Sequence, residues 1–395
     1  MDTFVFLLLV FAAGLLSIPV TVFFIEIVLG VAVRPAIPSP ANLPRGRVAT
    51  IVPAYNESRG LLATLTDIQR QLLAGDRLIV VADNCTDDTA ALASAAGAEV
   101  VERHDPEKRG KAYALDFGLR YLDANPPDIV IIVDADCRVA NNTLYNLAIT
   151  CASTRRPAQG LYLMTAPDES RLNYQVAVFA WRVKNWLRPL GLDAMGLPCQ
   201  MMGTGMAFPW DIIRSADLAN DSIVEDLKLG LDLTVAGHPP LFCPSACVSS
   251  QFASSAAGVG IQRTRWEQGH IVTILSAVPR LLAGAISQRN WKLLALTLDL
   301  AVPPLSLLAM LLIGMFGVSL LATVLGFSPA ALIVSTANLL LFTIAGMLAW
   351  LKCGRDVLPP VAIWSLVPYA LGKVGLYRRI FFNRTVKQWI RTDRK

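Results

Sequence analysis

The sequence predicts an α/β protein in two parts: a domain built on a mostly parallel sheet, and helices that enter a membrane. Three observations predict it. Strand-like and helix-like segments alternate from Arg45 to Asp136, which is the pattern of a parallel sheet covered by helices. Apolar residues make up 54% of the 395 residues, more than an ordinary soluble enzyme carries. They are also concentrated, since Glu26 is the only charge between Phe4 and Val33 and none occurs from Leu300 to Leu351.

The first apolar stretch spans about 45 Å as a helix, enough for one tilted crossing and too little for two. Asp2 stands where a cleaved leader would have a basic segment, so one retained span over residues 1–34 is expected. Pro35 to Pro44 reads as a linker. The 52 uncharged residues from Leu300 to Leu351 are interrupted by Gly326-Phe327-Ser328-Pro329, which predicts two crossings joined by a hairpin within residues 295–352. Ile271 to Leu294 mixes apolar positions with Arg280, Arg289, Trp291 and Lys292, and is expected to lie in the interface. Residues 357–395 hold a short apolar piece with Pro359, Pro360 and Pro368, expected to be interfacial or re-entrant, and then a basic tail. From Lys373 onward there are eight Lys or Arg against Asp393 alone. The positive-inside rule makes that tail, and the central domain with it, cytoplasmic in a multi-pass inner or plasma membrane protein.

The seven scattered cysteines form no C-x-x-C pair, which fits reduced thiols. His238, Cys243 and Cys247 cluster without a fourth zinc ligand. A net charge of +5, placed mainly at membrane flanks, points to anionic lipids and not to nucleic acid.

Within residues 45–270 the expected order is strand Arg47 to Val52, helix Glu57 to Leu73, strand Arg77 to Ala82 and helix Thr86 to Ala96. Strand Glu99 to Arg103, helix Lys111 to Leu122 and strand Asp128 to Val133 continue it. Ligands of open parallel sheets bind beyond the carboxyl ends of the strands. Three polar clusters stand there: Pro53-Ala54-Tyr55-Asn56-Glu57, Asp83 to Asp88, and Asp134-Ala135-Asp136. Each alone could be turn and cap residues, as Asn56, Asp83 and Thr86 can be. A carboxylate pair one residue apart can also hold a divalent cation against a diphosphate. Gln262-Arg263-Thr264-Arg265-Trp266 can bind phosphate oxygens and stack on a sugar, or anchor a helix at the headgroups.

Taken in order, Val52 to Glu57, Asp83, Asp134-x-Asp136, Glu225-Asp226 and Gln262-x-x-Arg265-Trp266 resemble the signatures of membrane-bound family-2 glycosyltransferases. That branch includes cellulose, chitin and hyaluronan synthases, ceramide glucosyltransferases and exopolysaccharide transferases. The resemblance implies a Rossmann-like GT-A domain and an inverting transfer of a sugar from a nucleotide-diphosphate donor, with Mg2+ or Mn2+. It implies that Ala54, Tyr55 and Glu57 lie along the nucleoside and that Asp83 reads the base. Asp134 would contact the ribose or diphosphate side, and Asp136 would ligate the metal. Lys111, with Lys108 and Arg109, would add positive potential near the diphosphate. Asp226 would be the general base, with Glu225 positioning acceptor or base, although the family's Thr-Glu-Asp is Val224-Glu225-Asp226 here. Gly203, Thr204 and Gly205 resemble the small-residue loop beside the acceptor, and are equally readable as a turn. Gln262, Arg265 and Trp266 would serve acceptor and diphosphate.

The implied acceptor is a lipid-linked or growing surface glycan. A processive polysaccharide synthase or a glycolipid glycosyltransferase is the alternative, and three spans are few for a secretion channel. A nucleotidyltransferase would leave the membrane segments unexplained. A transporter would need more polar residues in its spans than Glu26 and Asp299.

Overall fold

The computed structural model describes residues 2–33, 45–58, 60–219, 224–254 and 256–382. Eight strands form one mixed sheet in the order β3-β2-β1-β4-β7-β6-β8-β5. Its parallel half is made of β1 (Val48–Ala54), β2 (Arg77–Asp83), β3 (Glu99–Arg103) and β4 (Ile129–Ile132). These strands are near-continuous apolar runs because both faces are covered. Alternate residues serve opposite layers. Val52, Val80 and Ile131 pack with Leu61, Leu65 and Ile68 of α2 (Leu61–Gln69), with α3 (Thr89–Ala95) and with α5 (Thr143–Thr154). Ile51, Ile79, Val81 and Ile132 face Leu115, Leu119 and Leu122 of α4 (Lys111–Leu122). The same layer holds α8 (Trp210–Arg214) and α9 (Glu225–Val235).

The sheet continues through β5 (Arg138–Val139), β6 (Ala158–Thr165), β7 (Met206–Pro209) and β8 (Leu241–Gln251). β7 runs antiparallel to both β4 and β6, so the chain order reverses beside β4. A crevice therefore opens at the carboxyl ends of β1 and β4, where an open sheet takes its ligand.

Between β6 and β7, α6 (Leu172–Arg182) passes into a π-helical turn, Val183–Leu187, and then α7 (Arg188–Ala194). Val183 and Leu187 pack against Val20, Phe23 and Ile27 of α1 (Asp2–Ala32) and against Ala345, Ala349 and Cys353 of α13 (Ala330–Cys353). α1 and α7 approach so closely that a Cβ at Gly191 would lie 2.0 Å from the carbonyl oxygen of Glu26. Beside this contact Arg188 donates to Glu26 Oε2 at 2.5 Å and to Asp299 Oδ1 at 2.5 Å. Gln200 donates to Asp299 Oδ2 at 2.6 Å. A buried charge network thus joins α1, α7 and α11 (Trp291–Leu300).

Among the described residues, four helical segments are long and apolar enough to cross a membrane: Phe4–Ala32, Thr264–Ser287, Leu305–Val324 and Ala330–Cys353. The last two are α12 and α13, with the expected hairpin between them. The segment expected over 271–294 is drawn differently. α10 runs from Ala256 to Ser287, so the domain edge placed at residue 270 falls inside a continuous helix. Arg289, with φ of 51°, breaks the chain direction, and Asn290 Oδ1 accepts from Leu293 N–H at 3.0 Å to start α11. After α13 come a 3-10 turn, Pro360–Ser365, then α14 (Leu366–Gly372) and α15 (Val374–Phe382). The linker 35–44 and the tail beyond residue 382 lie outside the described residues.

Candidate active site

The two loops leaving β1 and β2 are tied to each other. Asn56, in the left-handed region at φ 53°, accepts from Thr86 N–H at 2.7 Å through Oδ1 and donates to Thr86 Oγ1 at 3.1 Å. Glu57 N–H donates to Thr89 Oγ1 at 2.9 Å. Asn56 and Thr86 therefore do turn work, which leaves the half-buried Tyr55 and Glu57 and the buried Ala54 lining the rim. Asp83 is buried and ion-paired, with Arg103 donating to Oδ1 at 2.7 Å and Asn84 donating to the same oxygen at 3.0 Å. Burial pushes its carboxyl up, against the pull of Arg103. Lys108 and Arg109 are exposed, Arg109 donating to Pro106 O at 3.0 Å.

Lys111, the first residue of α4, is the hub of the crevice. Its ammonium pairs with Asp134 Oδ1 and donates to Gly203 O at 2.6 Å. Burial works against its charge, but the carboxylates of Asp134, Glu225 and Asp226 prevail and its pKa is raised. Asp134 N–H donates to Thr204 Oγ1 at 3.0 Å. Gln159, fully buried, fixes the 202–204 loop by donating to Thr204 O at 2.9 Å and accepting from Met202 N–H at 2.7 Å. Gly203 has φ 92°, and a Cβ there would stand 3.3 Å from Asp226 Oδ2. The loop, Asp134, Lys111 and the Glu225-Asp226 pair are thus one constellation.

Oxygen and sulfur atoms of Asp134, Asp136 and Cys137 lie within 4.8 Å of one another. Burial pushes the Cys137 thiol up to about 12, so it stays protonated and is a poor ligand. What remains is a pair of carboxylates, a hard oxygen donor set that fits Mg2+ or Mn2+.

Glu225 and Asp226 open α9, where the first-turn N–H groups favour negative charge. Burial raises both carboxyls, and Asp226 raises Glu225 further, to about 7, while Lys111 acts to lower each. Both keep partial access to solvent although protein surrounds them. A carboxylate with a raised pKa, in an open crevice beside a fixed cation, is suited to take a proton near neutral pH.

On the opposite wall Gln262 is buried and accepts from Ala253 N–H at 3.5 Å. Trp266 is half-buried, its ring 4.9 Å from that of Trp181 and 6.5 Å from that of Phe252. Part of its surface is therefore spent on packing. Arg265 is half-buried and makes no hydrogen bond or ion pair among the described residues. Glu267, two residues after Arg265, is held by Lys373 from the C-terminal segment.

Sequence reasoning missed Lys184. It stands in the π-helical turn with an exposed side chain, within electrostatic reach of Asp226, Asp299 and Glu267 and also of Arg188. A π turn has no sequence signature, and a lysine in the run Trp181 to Leu187 reads as an ordinary interfacial residue.

Residues 44–269 match the family model described as "Glycosyltransferase like family 2". Uncharacterized glycosyltransferases of Mycobacterium bovis and Mycobacterium tuberculosis are each 34% identical over 144 residues, which is 35% of this chain and 59% of theirs. The chain thus matches less than two thirds of their length. Among solved structures, a mannosyltransferase from Pyrobaculum calidifontis, in complex with GDP-Man and Mn2+, aligns with a TM-score of 0.58. It is 18% identical, and the alignment covers 95% of this chain and 100% of that one. The fold is GT-A.

Proposed function

The chain belongs to the family-2 glycosyltransferases, and from that premise we propose that it is a membrane-bound inverting enzyme. It would move a sugar from a nucleotide-diphosphate donor to a hydroxyl of a lipid-linked or surface-glycan acceptor. The observation that carries this reading is the junction at Lys111, which ties the Asp134 side of the crevice to the Glu225-Asp226 side.

Asp226 takes the proton of the acceptor hydroxyl. The acceptor oxygen forms its bond to the anomeric carbon on the face opposite the diphosphate, and the bond from that carbon to the diphosphate oxygen breaks. Inversion follows from this single displacement. The nucleoside diphosphate leaves with its electron pair, and Lys111 and Arg265 counter its charge. Glu225 holds the local potential so that Asp226 receives the proton. Mg2+ or Mn2+, held by Asp136 with Asp134, would neutralise the diphosphate when bound. Ala54, Tyr55, Glu57 and Asp83 hold the nucleoside, and Gly203, Thr204, Gly205, Gln262 and Trp266 flank the acceptor.

The membrane arrangement we propose keeps three crossings, α1, α12 and α13, with a cytoplasmic domain of about residues 45–270. α10 and α11 then form an interfacial hairpin. This is supported by the His270 ring, which lies 3.2 Å from Leu300 O, and by Leu296 and Leu300, which pack with Leu227 and Leu231 of α9, so the open end of the hairpin lies against the domain. The ten residues of α11 rise only about 15 Å, half of a bilayer core.

Release of nucleoside diphosphate from a panel of UDP, GDP and dTDP sugars tests the reading on the purified full-length protein. Asp136→Ala and Asp226→Ala are expected to lose transfer, and donor turnover that persists in both refutes the assignment. One added sugar per acceptor is expected; a long polymer would make the enzyme processive.

A further inference from the structure

The Gln262-x-x-Arg265-Trp266 turn of α10 has little to fix it from its own side. Arg265 makes no hydrogen bond or ion pair among the described residues, and the contact of Gln262 with Ala253 N–H is long, at 3.5 Å. Glu267 is held instead by parts of the chain distant in sequence. Its carboxylate pairs with Lys373, which stands between α14 and α15. The Lys373 ammonium also donates to Ser306 Oγ at 3.2 Å, in the first turn of α12, and lies 5.0 Å from the centre of the Tyr369 ring. Tyr377 of α15 is buried, with its hydroxyl 2.6 Å from the same Ser306 oxygen. The side chains of Lys373 and Glu267 are only 16% and 14% exposed, so theirs is not one of the solvated ion pairs that contribute almost nothing. Val357, just past α13, and Trp266 pack on the same aromatic cluster, which includes Tyr174 and Phe252. The segment 357–377 thus braces this end of α10 at two points, and it lies outside the residues 44–269 that match the family model.

We propose that Lys373 is a positioning residue of the crevice: by holding Glu267, it fixes the turn of α10 that presents Arg265 to the diphosphate of the donor. This rests on the role given to Arg265 in the glycosyl transfer proposed above. Residues two apart on a helix lie about 200° apart round its axis. Arg265 can therefore face the crevice while Glu267 is gripped from behind. A long side chain with no partner of its own keeps its aim only if the backbone that carries it is held, and a misplacement of about 1 Å can cost about 10²-fold. Lys373 touches neither the donor nor the acceptor; it acts through Glu267 and the helix.

The probes are UDP, GDP and dTDP with Mn2+, titrated against the purified full-length protein, and the nucleoside monophosphate of whichever binds most tightly. The wild type is expected to favour the diphosphate, and Arg265→Met to lose most of that preference. Lys373→Met and Glu267→Gln break the pair from either side. Each is expected to weaken diphosphate binding about tenfold and to leave monophosphate binding within about twofold. In an Arg265→Met background Lys373→Met is expected to change nothing further, because the guanidinium it would aim is gone. Lys373→Arg is expected to keep the affinity, and Lys373→Glu combined with Glu267→Lys to recover most of what Lys373→Glu loses. A purely structural latch would lower the number of binding sites per protein and leave the dissociation constant alone, which overturns the proposal. Equal losses for diphosphate and monophosphate, or a loss in Lys373→Met that adds in full to that of Arg265→Met, also overturn it. A wild type that binds none of the three diphosphates would instead sink the glycosyl transfer reading.

Discussion

In the proposed reaction Asp226 and Glu225, two adjacent carboxylates at a helix start, take on different work. Both are partly withdrawn from solvent, which raises both, but the pair cannot carry two full negative charges as easily as one, so a proton is retained above the ordinary carboxylate range. A base acts only when deprotonated. The rate of transfer is therefore expected to fall as pH drops through the raised value, with the acid limb of kcat/KM, which reports the free enzyme, above the range of a free Asp. Glu225→Gln removes one of the two charges and is expected to move that limb to lower pH; a profile that does not move would separate the pair. Asp226→Asn, nearly isosteric, is expected to lower kcat by about 10²- to 10⁴-fold, the usual worth of a general base. Donor binding, followed by nucleoside diphosphate competition, should remain. Gly203 belongs to the same scale. At φ 92° a side chain is strained, and its Cβ would press on Asp226 Oδ2. Gly203→Ala is thus expected to cost activity more than the ~1 kcal/mol that left-handed backbone costs in stability, as read from kcat beside a melting curve.

At the scale of elements, the parallel half of the sheet was legible because buried strands are apolar runs ending in polar clusters. β3 and α4 have the predicted bounds, and β1, β2 and β4 end within two residues of the expected positions. That Asp134, Lys111, Gly203 and Asp226 meet in one candidate crevice follows the same logic, since motifs placed just past strand ends converge in such a sheet. The antiparallel half was not legible. Its pairing of β7 between β4 and β6 depends on long-range register, as does the return of β8 beside β6. The π turn was also hidden, and with it Lys184. Glu26 and Asp299 could be noted as odd charges in apolar surroundings, but their common partner Arg188 lies 162 residues from one and 111 from the other. That network makes a sharp prediction. Arg188→Leu leaves two buried carboxyl groups without their counter-charge, which costs about 3–5 kcal/mol for a buried pair broken at one partner. A large fall in the melting temperature of the detergent-solubilised protein is expected. An unchanged melting temperature would mean that α1 is not bolted to the domain through this contact.

Under the proposed function, the crevice is closed on one side by the sheet and on the other by helices that would meet the bilayer. The proposed membrane layout turns on the hairpin of α10 and α11. If α10 crossed, its polar end, Gln288 to Lys292, would lie on the far side. α11 would then have to bring Leu300 back to His270 across the whole hydrocarbon core. Ten helical residues reach about 15 Å, whereas the core is about 30 Å thick, so the crossing fails by roughly a factor of two. An interfacial hairpin meets both constraints, and it lets the Gln262-x-x-Arg265-Trp266 end of α10 stay in the crevice. The test is chemical labelling of intact cells with a membrane-impermeant maleimide. Ser328→Cys, between α12 and α13, is expected to label from outside, since three crossings place that hairpin opposite the catalytic domain. Gln288→Cys is expected to label only after the cells are opened. The seven native thiols give no outside signal under this layout, because each lies in the domain or at the inner end of α13. Labelling of Gln288→Cys from outside would make α10 a true span, reverse the hairpin of α12 and α13, and place Arg182 and its partner Asp356, just past the end of α13, on opposite sides of the membrane.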